Sequence, residues 1–258
     1  MDLELKDKKV LITGGSKGIG LACARAFMAE GARVAIVSRS RENLEQASKA
    51  LGLVYTGAAD LIDAAAAAAM VDKVEKEFGA IDVLVNSAGA AKRTNADELT
   101  PEAWRAAMDA KYFTYINVID PLVKRMAARG SGVIINIIGS GGKIASPIHL
   151  PGGSANAALM LATAGLANAY AAKGVRVVGI NPGLTNTSRV SEGLKADAKR
   201  EGISEAEALA RAKKKLPLGR LAEPGEIADI ALFAASARGR FLTGANISAD
   251  GVSTPTVV

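Results

Sequence analysis

Thr13-Gly14-Gly15-Ser16-Lys17-Gly18-Ile19-Gly20 follows an apolar run, KVLIT at 9–13, and opens a helix-forming stretch. Glycines in such a turn let the backbone approach a pyrophosphate, and a helix start offers unpaired N–H donors at the positive end of a dipole. Gly14, Ser16, Lys17, Gly18, Ile19 and Gly20 are therefore candidate nucleotide contacts. Farther along, Lys111, Ser140 and the single histidine, His149, are the candidates for proton chemistry. An imidazole titrates where proton transfer at neutral pH is useful, and an ammonium can stabilise charge that develops on an oxygen. Each has a plainer alternative: Ser140 as a turn residue, His149 as polar loop surface, Lys111 as a cation pointing to solvent. Tyr112 and Tyr115 lie beside Lys111, and Tyr115 at i+4 shares its helical face, where packing is the alternative role.

These residues need a scaffold, and the hydrophobic pattern supplies one. Short β-branched runs occur at 9–13, 33–38, 53–56, 81–85, 132–138, 175–180 and 245–248. They are apolar almost throughout instead of alternating, as expected for a parallel sheet covered on both faces by helices. Helical patterns fall between them at 18–30, 41–50, 63–78, 101–128, 154–172 and 224–236. Thr100-Pro101-Glu102 is a helix start, with Thr100 as cap and Pro101 where a missing N–H does no harm. The expected class is α/β, a doubly wound parallel sheet of about seven strands. From Ser188 to Leu216 charged helical sequence interrupts the strand–helix rhythm, the usual mark of a lid or binding loop.

A chain of 258 residues suits one such domain, read here as 1–258 with its lid at 188–216. The formal charge of +6 comes with few aromatic residues, which argues against a nucleic-acid surface. Lys213, Lys214 and Lys215 carry part of that charge on what reads as a solvated helix face, the alternative being attraction for a phosphorylated or acidic substrate. One cysteine, Cys23, excludes an internal disulfide and implies a reducing compartment. The N-terminus lacks a secretory pattern and no apolar run reaches membrane-span length, so a cytoplasmic protein without a membrane partner is expected.

The glycine spacing G-x-x-x-G-x-G differs from the more general G-x-G-x-x-G and resembles that of the short-chain dehydrogenase/reductase family. The likeness continues through Asp60, Asn86-Ser87-Ala88-Gly89, Asn181-Pro182-Gly183, Pro217-Leu218-Gly219-Arg220 and Asp250-Gly251, in order along the chain. It implies a Rossmann-type fold, a nicotinamide nucleotide, a small carbonyl or alcohol substrate, and a homotetramer. It also implies that Asp60 and Leu61 contact the adenine, that Asn86, Ala88 and Gly89 contact the adenosine side, and that Pro182, Gly183, Thr185 and Thr187 lie at the nicotinamide end. The second strand ends Ser38-Arg39 with no acid before Glu42. An acid there would bind a ribose 2′-hydroxyl, whereas Lys17 and Arg39 suit a 2′-phosphate, so NADP(H) is expected over NAD(H). The alternative leaves both as solvated surface charges.

That family usually works with Asn, Ser, Tyr and Lys. Matching Gly153-Ser154-Ala155-Asn156-Ala157 to its Tyr-x-x-x-Lys segment leaves Gly153 and Ala157 at the two key positions, while Lys111 stands at the asparagine. Ser140 is thirteen residues before Gly153, the family's serine spacing; counting from Asn136 instead puts Gly139 there. Lys111 could reach toward the space that the missing lysine vacates. The expected function is therefore an NADP(H)-linked oxidoreductase with atypical proton delivery, the alternative being a nucleotide-binding regulatory or catalytically degenerate relative.

Overall fold

The computed structural model describes residues 1–52, 54–89 and 93–256, apart from the side chains of Ala196 and Arg200. β1 (Lys9–Thr13), β2 (Arg33–Ser38), β3 (Tyr55–Ala58), β4 (Val83–Asn86), β5 (Gly132–Ile137), β6 (Val175–Pro182) and β7 (Asn246–Ala249) form one sheet in the order β3-β2-β1-β4-β5-β6-β7. All pairings are parallel. The strand order reverses between β1 and β4, the crevice at which doubly wound sheets bind ligands. Expected and observed strands agree to within two residues. The third runs Tyr55–Ala58 where 53–56 was expected, and Leu53 of that expectation lies outside the described residues.

Helices α1 (Gly18–Ala29), α2 (Arg41–Leu51) and α9 (Pro224–Ala235) contribute to one buried core, and α3 (Ala64–Phe78), α5 (Thr114–Ala128) and α6 (Leu150–Tyr170) to the other. Val10 and Ile12 of β1 face the first core and Leu11 the second. That two-sided burial is why the strand has no polar alternation. Phe27 of α1 is wholly buried, and truncating such a side chain to alanine costs about 3–5 kcal/mol.

The helix expected over 101–128 is not continuous. α4 (Pro101–Met108) passes into a π-helical turn, Asp109–Phe113, before α5 begins. Such a turn is a single wide coil that often marks a functional position, and here it contains Lys111. Hydrogen-bond periodicity of this kind leaves no trace in hydrophobic spacing. Residues 188–216 hold α7 (Ser188–Glu201) and α8 (Glu205–Lys214), joined by Arg211 to Glu201 at 3.2 Å and Lys195 to Glu205 at 3.6 Å.

Candidate active site

The glycine turn lies at the carboxyl edge of β1, tied to its neighbour by a hydrogen bond from the Gly14 N–H to the Val37 carbonyl (2.7 Å). Gly14 has φ of +67°, and a Cβ there would sit 2.8 Å from the backbone of Ala88, so the turn and the loop after β4 touch through bare backbone. α1 starts at Gly18 without a side-chain cap, leaving its first N–H groups to an external anion. Thr187, before α7, packs beside Gly18, 3.3 Å from where a Cβ would be. The candidate residues at both ends of the crevice are thus brought together. Lys17 and Arg39 are both exposed, on the adjacent loops that follow β1 and β2.

Asn86 is more than a contact residue. Thr13 Oγ1 donates to its Oδ1 (3.3 Å), its Nδ2 donates to Asn136 Oδ1 (3.0 Å), and Asn136 Nδ2 donates to Thr163 Oγ1 (3.0 Å). This buried chain locks β1, β4, β5 and α6 edge to edge, so any nucleotide contact at Asn86 falls to its backbone. Thr185 is buried with its hydroxyl on the Gly183 carbonyl (3.2 Å). Asp60 is exposed and accepts from the Ile62 N–H (3.2 Å), while Asp63 caps α3 and Leu61 is buried below. Asn181, ahead of Pro182, has both side-chain polar atoms buried without a partner, an unmet hydrogen-bonding capacity at the strand end where the nicotinamide half would lie. The cradle that admits no Cβ, the uncapped helix and this asparagine fit a dinucleotide.

Beyond the crevice a cavity of about 830 Å³ opens beside α7 and α8. Lys111, His149, Gly152, Asn156, Gly89 and Arg189 line its inner end. Gly89, at φ of +98°, packs against the Ala110 carbonyl of the π-helical turn, where a Cβ would collide. That contact sets the turn from which Lys111 projects inward. Lys111 is 8% exposed, and its amine donates to the Tyr115 hydroxyl (3.0 Å) and the Ile137 carbonyl (3.1 Å). Burial, with the Arg189 charge adding to it, lowers the Lys111 ammonium from its ordinary 10.5 to about 7. Tyr115, wholly buried, donates to the same carbonyl at 2.5 Å, and burial raises its phenol well above the usual range.

His149 precedes α6. Its Nδ1 is buried without a partner, and burial together with the charges of Arg93 and Lys111 holds its imidazole below the ordinary histidine value. Asn156, one turn and a half into α6, likewise has a buried Oδ1 with no partner. Ser140 does not join them. It begins a short 3-10 turn, Ser140–Gly142, and is not among the described residues that line the cavity. Gly139, at φ of +123°, precedes it, and a Cβ there would lie 3.3 Å from Asn156 Nδ2; neither Gly139 nor Ser140 lines the cavity. Gly152 and Asn156 line the cavity, Gly153 does not, and the side chain of Ala157 is exposed. The count from Asn136 fits this geometry, since thirteen residues after Gly139 is Gly152 and four further is Asn156. Asn156, Arg93 and Arg189 are cavity residues that sequence reasoning did not single out. The Asn136 count carried a signal for the first, whereas isolated arginines carry none.

Residues 8–198 match the short chain dehydrogenase family model. The chain is 32% identical to a 3alpha-hydroxysteroid dehydrogenase of Mediterraneibacter gnavus over 98% of its own length and 99% of the relative's. It is 34% identical to an acetoacetyl-CoA reductase of Shinella zoogloeoides over 93% and 96%. Its structure superposes on L-sorbose reductase of Gluconobacter frateurii, solved with NADPH and L-sorbose, with a TM-score of 0.94 and 30% identity across 100% of both chains. The chain belongs to the short-chain dehydrogenase family. Its class is that of the nicotinamide-dependent oxidoreductases built on a Rossmann-type sheet.

Proposed function

We propose that this protein is an NADP(H)-dependent oxidoreductase of small carbonyl or alcohol compounds in which Lys111 takes over the proton transfer. The observation that carries the reading is a buried amine, held near neutrality by its surroundings, at the inner end of a cavity beside the nucleotide crevice. The glycine turn and α1 start would hold the pyrophosphate, Lys17 and Arg39 a 2′-phosphate, and Asn181 through Thr187 the nicotinamide half; the bound nucleotide supplies the hydride. α6 has no tyrosine or lysine where it faces the cavity, its residues there being Gly152 and Asn156.

Carbonyl reduction puts negative charge on the substrate oxygen, and a cation near that oxygen stabilises it and then gives up a proton. Lys111 Nζ has the position and the acidity for both. The Ile137 carbonyl and Tyr115 hydroxyl orient it. His149, kept neutral at pH 7 by its lowered affinity for protons, serves as a hydrogen-bonding partner for the substrate from the cavity wall. That division differs from a histidine acid assisted by a lysine cation, and it follows from the shared field of Arg93 and Lys111. Ser140 has no part in this account.

The test is oxidation of NADPH in the presence of a panel of aldehydes, ketones and acyl thioesters, compared with Lys111→Met. Turnover that the variant loses supports the reading; NADPH binding without any turnover favours a nucleotide-binding protein instead. One observation favours that second reading, namely that two donors of Lys111 are already engaged within the chain.

We further propose a cytoplasmic homotetramer. Among the described residues no helix is long and apolar enough to cross a membrane. The outer face of α6 presents Ala157, Leu161, Ala164 and Gly165, with Leu161 77% exposed, a flat surface on which another helix can pack closely.

A further inference from the structure

The charges around the cavity bear on the substrate itself, an inference that rests on the oxidoreductase reading. Arg93 follows β4, Arg189 lies in the first turn of α7, and Lys215 ends α8; all three line the cavity. Arg189 donates to the Gly89 carbonyl (3.3 Å), and none of the three forms an ion pair among the described residues. Arg211, by contrast, is paired with Glu201 and Glu207. Three carboxylates also line the cavity: Glu98, Asp197 and Glu201. Asp197 and Glu201 already interact within the chain, and Glu98, on the turn before α4, is exposed as are Arg93, Arg189 and Lys215.

Five basic side chains, Arg93, Lys111, Arg189, Arg211 and Lys215, therefore line the cavity against three carboxylates. The charges acting on Lys111 and His149 are Arg189 in the one case and Arg93 with Lys111 in the other, with no carboxylate opposing them. Like charges gathered in a partly enclosed cavity repel one another, and a bound anion relieves that repulsion.

We infer that the substrate is an anion, a small carbonyl compound bearing a carboxylate or a phosphate, held by Arg189 and Arg93 with its carbonyl toward Lys111. A guanidinium matches both groups with paired N–H donors, so carboxylate and phosphate share the recognition chemistry. The experiment uses matched probes in the presence of NADPH: pyruvate against butane-2,3-dione, and dihydroxyacetone phosphate against dihydroxyacetone. Which anion is preferred separates the carboxylate from the phosphate source. Binding is read by calorimetry and turnover by NADPH oxidation. The expected result is that an anion outcompetes its neutral counterpart at least tenfold, that this ratio falls at least tenfold in Arg189→Gln and in Arg93→Gln, and that added salt weakens it. Arg189→Lys, which keeps the charge but not the fork, should restore part of the ratio. Equal or better handling of the neutral probes, or anion binding indifferent to both arginines, overturns the inference while leaving the oxidoreductase reading intact. Anion binding that needs the arginines without turnover supports the inference and removes the oxidoreductase reading. No binding of either anion overturns it.

Discussion

Lys111 Nζ lies 3.0 Å from the hydroxyl of Tyr115, and both groups converge on the Ile137 carbonyl at the end of β5. The i+4 spacing put the two side chains on one face; the π-helical turn and the buried strand end turned that adjacency into a desolvated amine.

The stability of the protein should report that desolvation. The folded state releases the Lys111 proton near pH 7 while the unfolded chain keeps it to about 10.5, so between those values the unfolded state binds more protons and stability rises with pH. The Cys23 thiol, pushed up to about 12 by burial, works in the opposite sense above its unfolded value of 9.0, which leaves pH 7 to 9 as the clean window. Two pH steps correspond to at most about 3 kcal/mol. Denaturant melts of the wild type and Lys111→Met should diverge across this window, and parallel curves would place Lys111 in water.

His149→Gln separates the histidine's two possible roles. A neutral His149 that only hydrogen-bonds the substrate is worth about 1 kcal/mol, so kcat/KM should fall about five- to tenfold. The alkaline limb of the pH profile should stay in place. Loss of that limb in the variant would make His149 the acid.

Nucleotide choice rests on Arg39 and Lys17, exposed on neighbouring loops. Fluorescence titration should show tighter binding of NADPH than NADH, and Arg39→Asp should reverse the order by removing a phosphate partner and adding repulsion. Tighter binding of NADH by the wild type would contradict the assignment.

Gly14→Ala tests the crevice. A Cβ at φ of +67° meets the Ala88 backbone at 2.8 Å, so the turn must move away from the loop after β4. Nucleotide affinity should drop at least tenfold while circular dichroism keeps its α/β form; unchanged NADPH affinity would place the pyrophosphate elsewhere.

The scaffold was readable because its signals are local. The apolar runs marked the strands, Asp63 and Thr100 mark helix starts by their capping chemistry, and the glycine turn sits between a strand and a helix as its spacing required. The inner site was less so. Ser140 and Gly139 differ by one position in a glycine-rich turn, and only the cavity-facing places of Gly152 and Asn156 favour the count from Asn136. The burial of Lys111 depends on Gly89 fitting against the Ala110 carbonyl, a contact between distant segments. Arg93 and Arg189, far apart in sequence, read as ordinary surface charges, and only the fold brings them to one cavity.

The most direct measurement is the pH dependence of kcat/KM for NADPH-driven carbonyl reduction, in the wild type and in Lys111→Met. With the Lys111 ammonium as the proton donor, wild-type reduction should decline as pH rises through about 7, and oxidation of the alcohol should climb over the same range. Lys111→Met should lose about a hundredfold or more and show no inflection there. A variant that keeps wild-type activity and the same inflection would contradict the account.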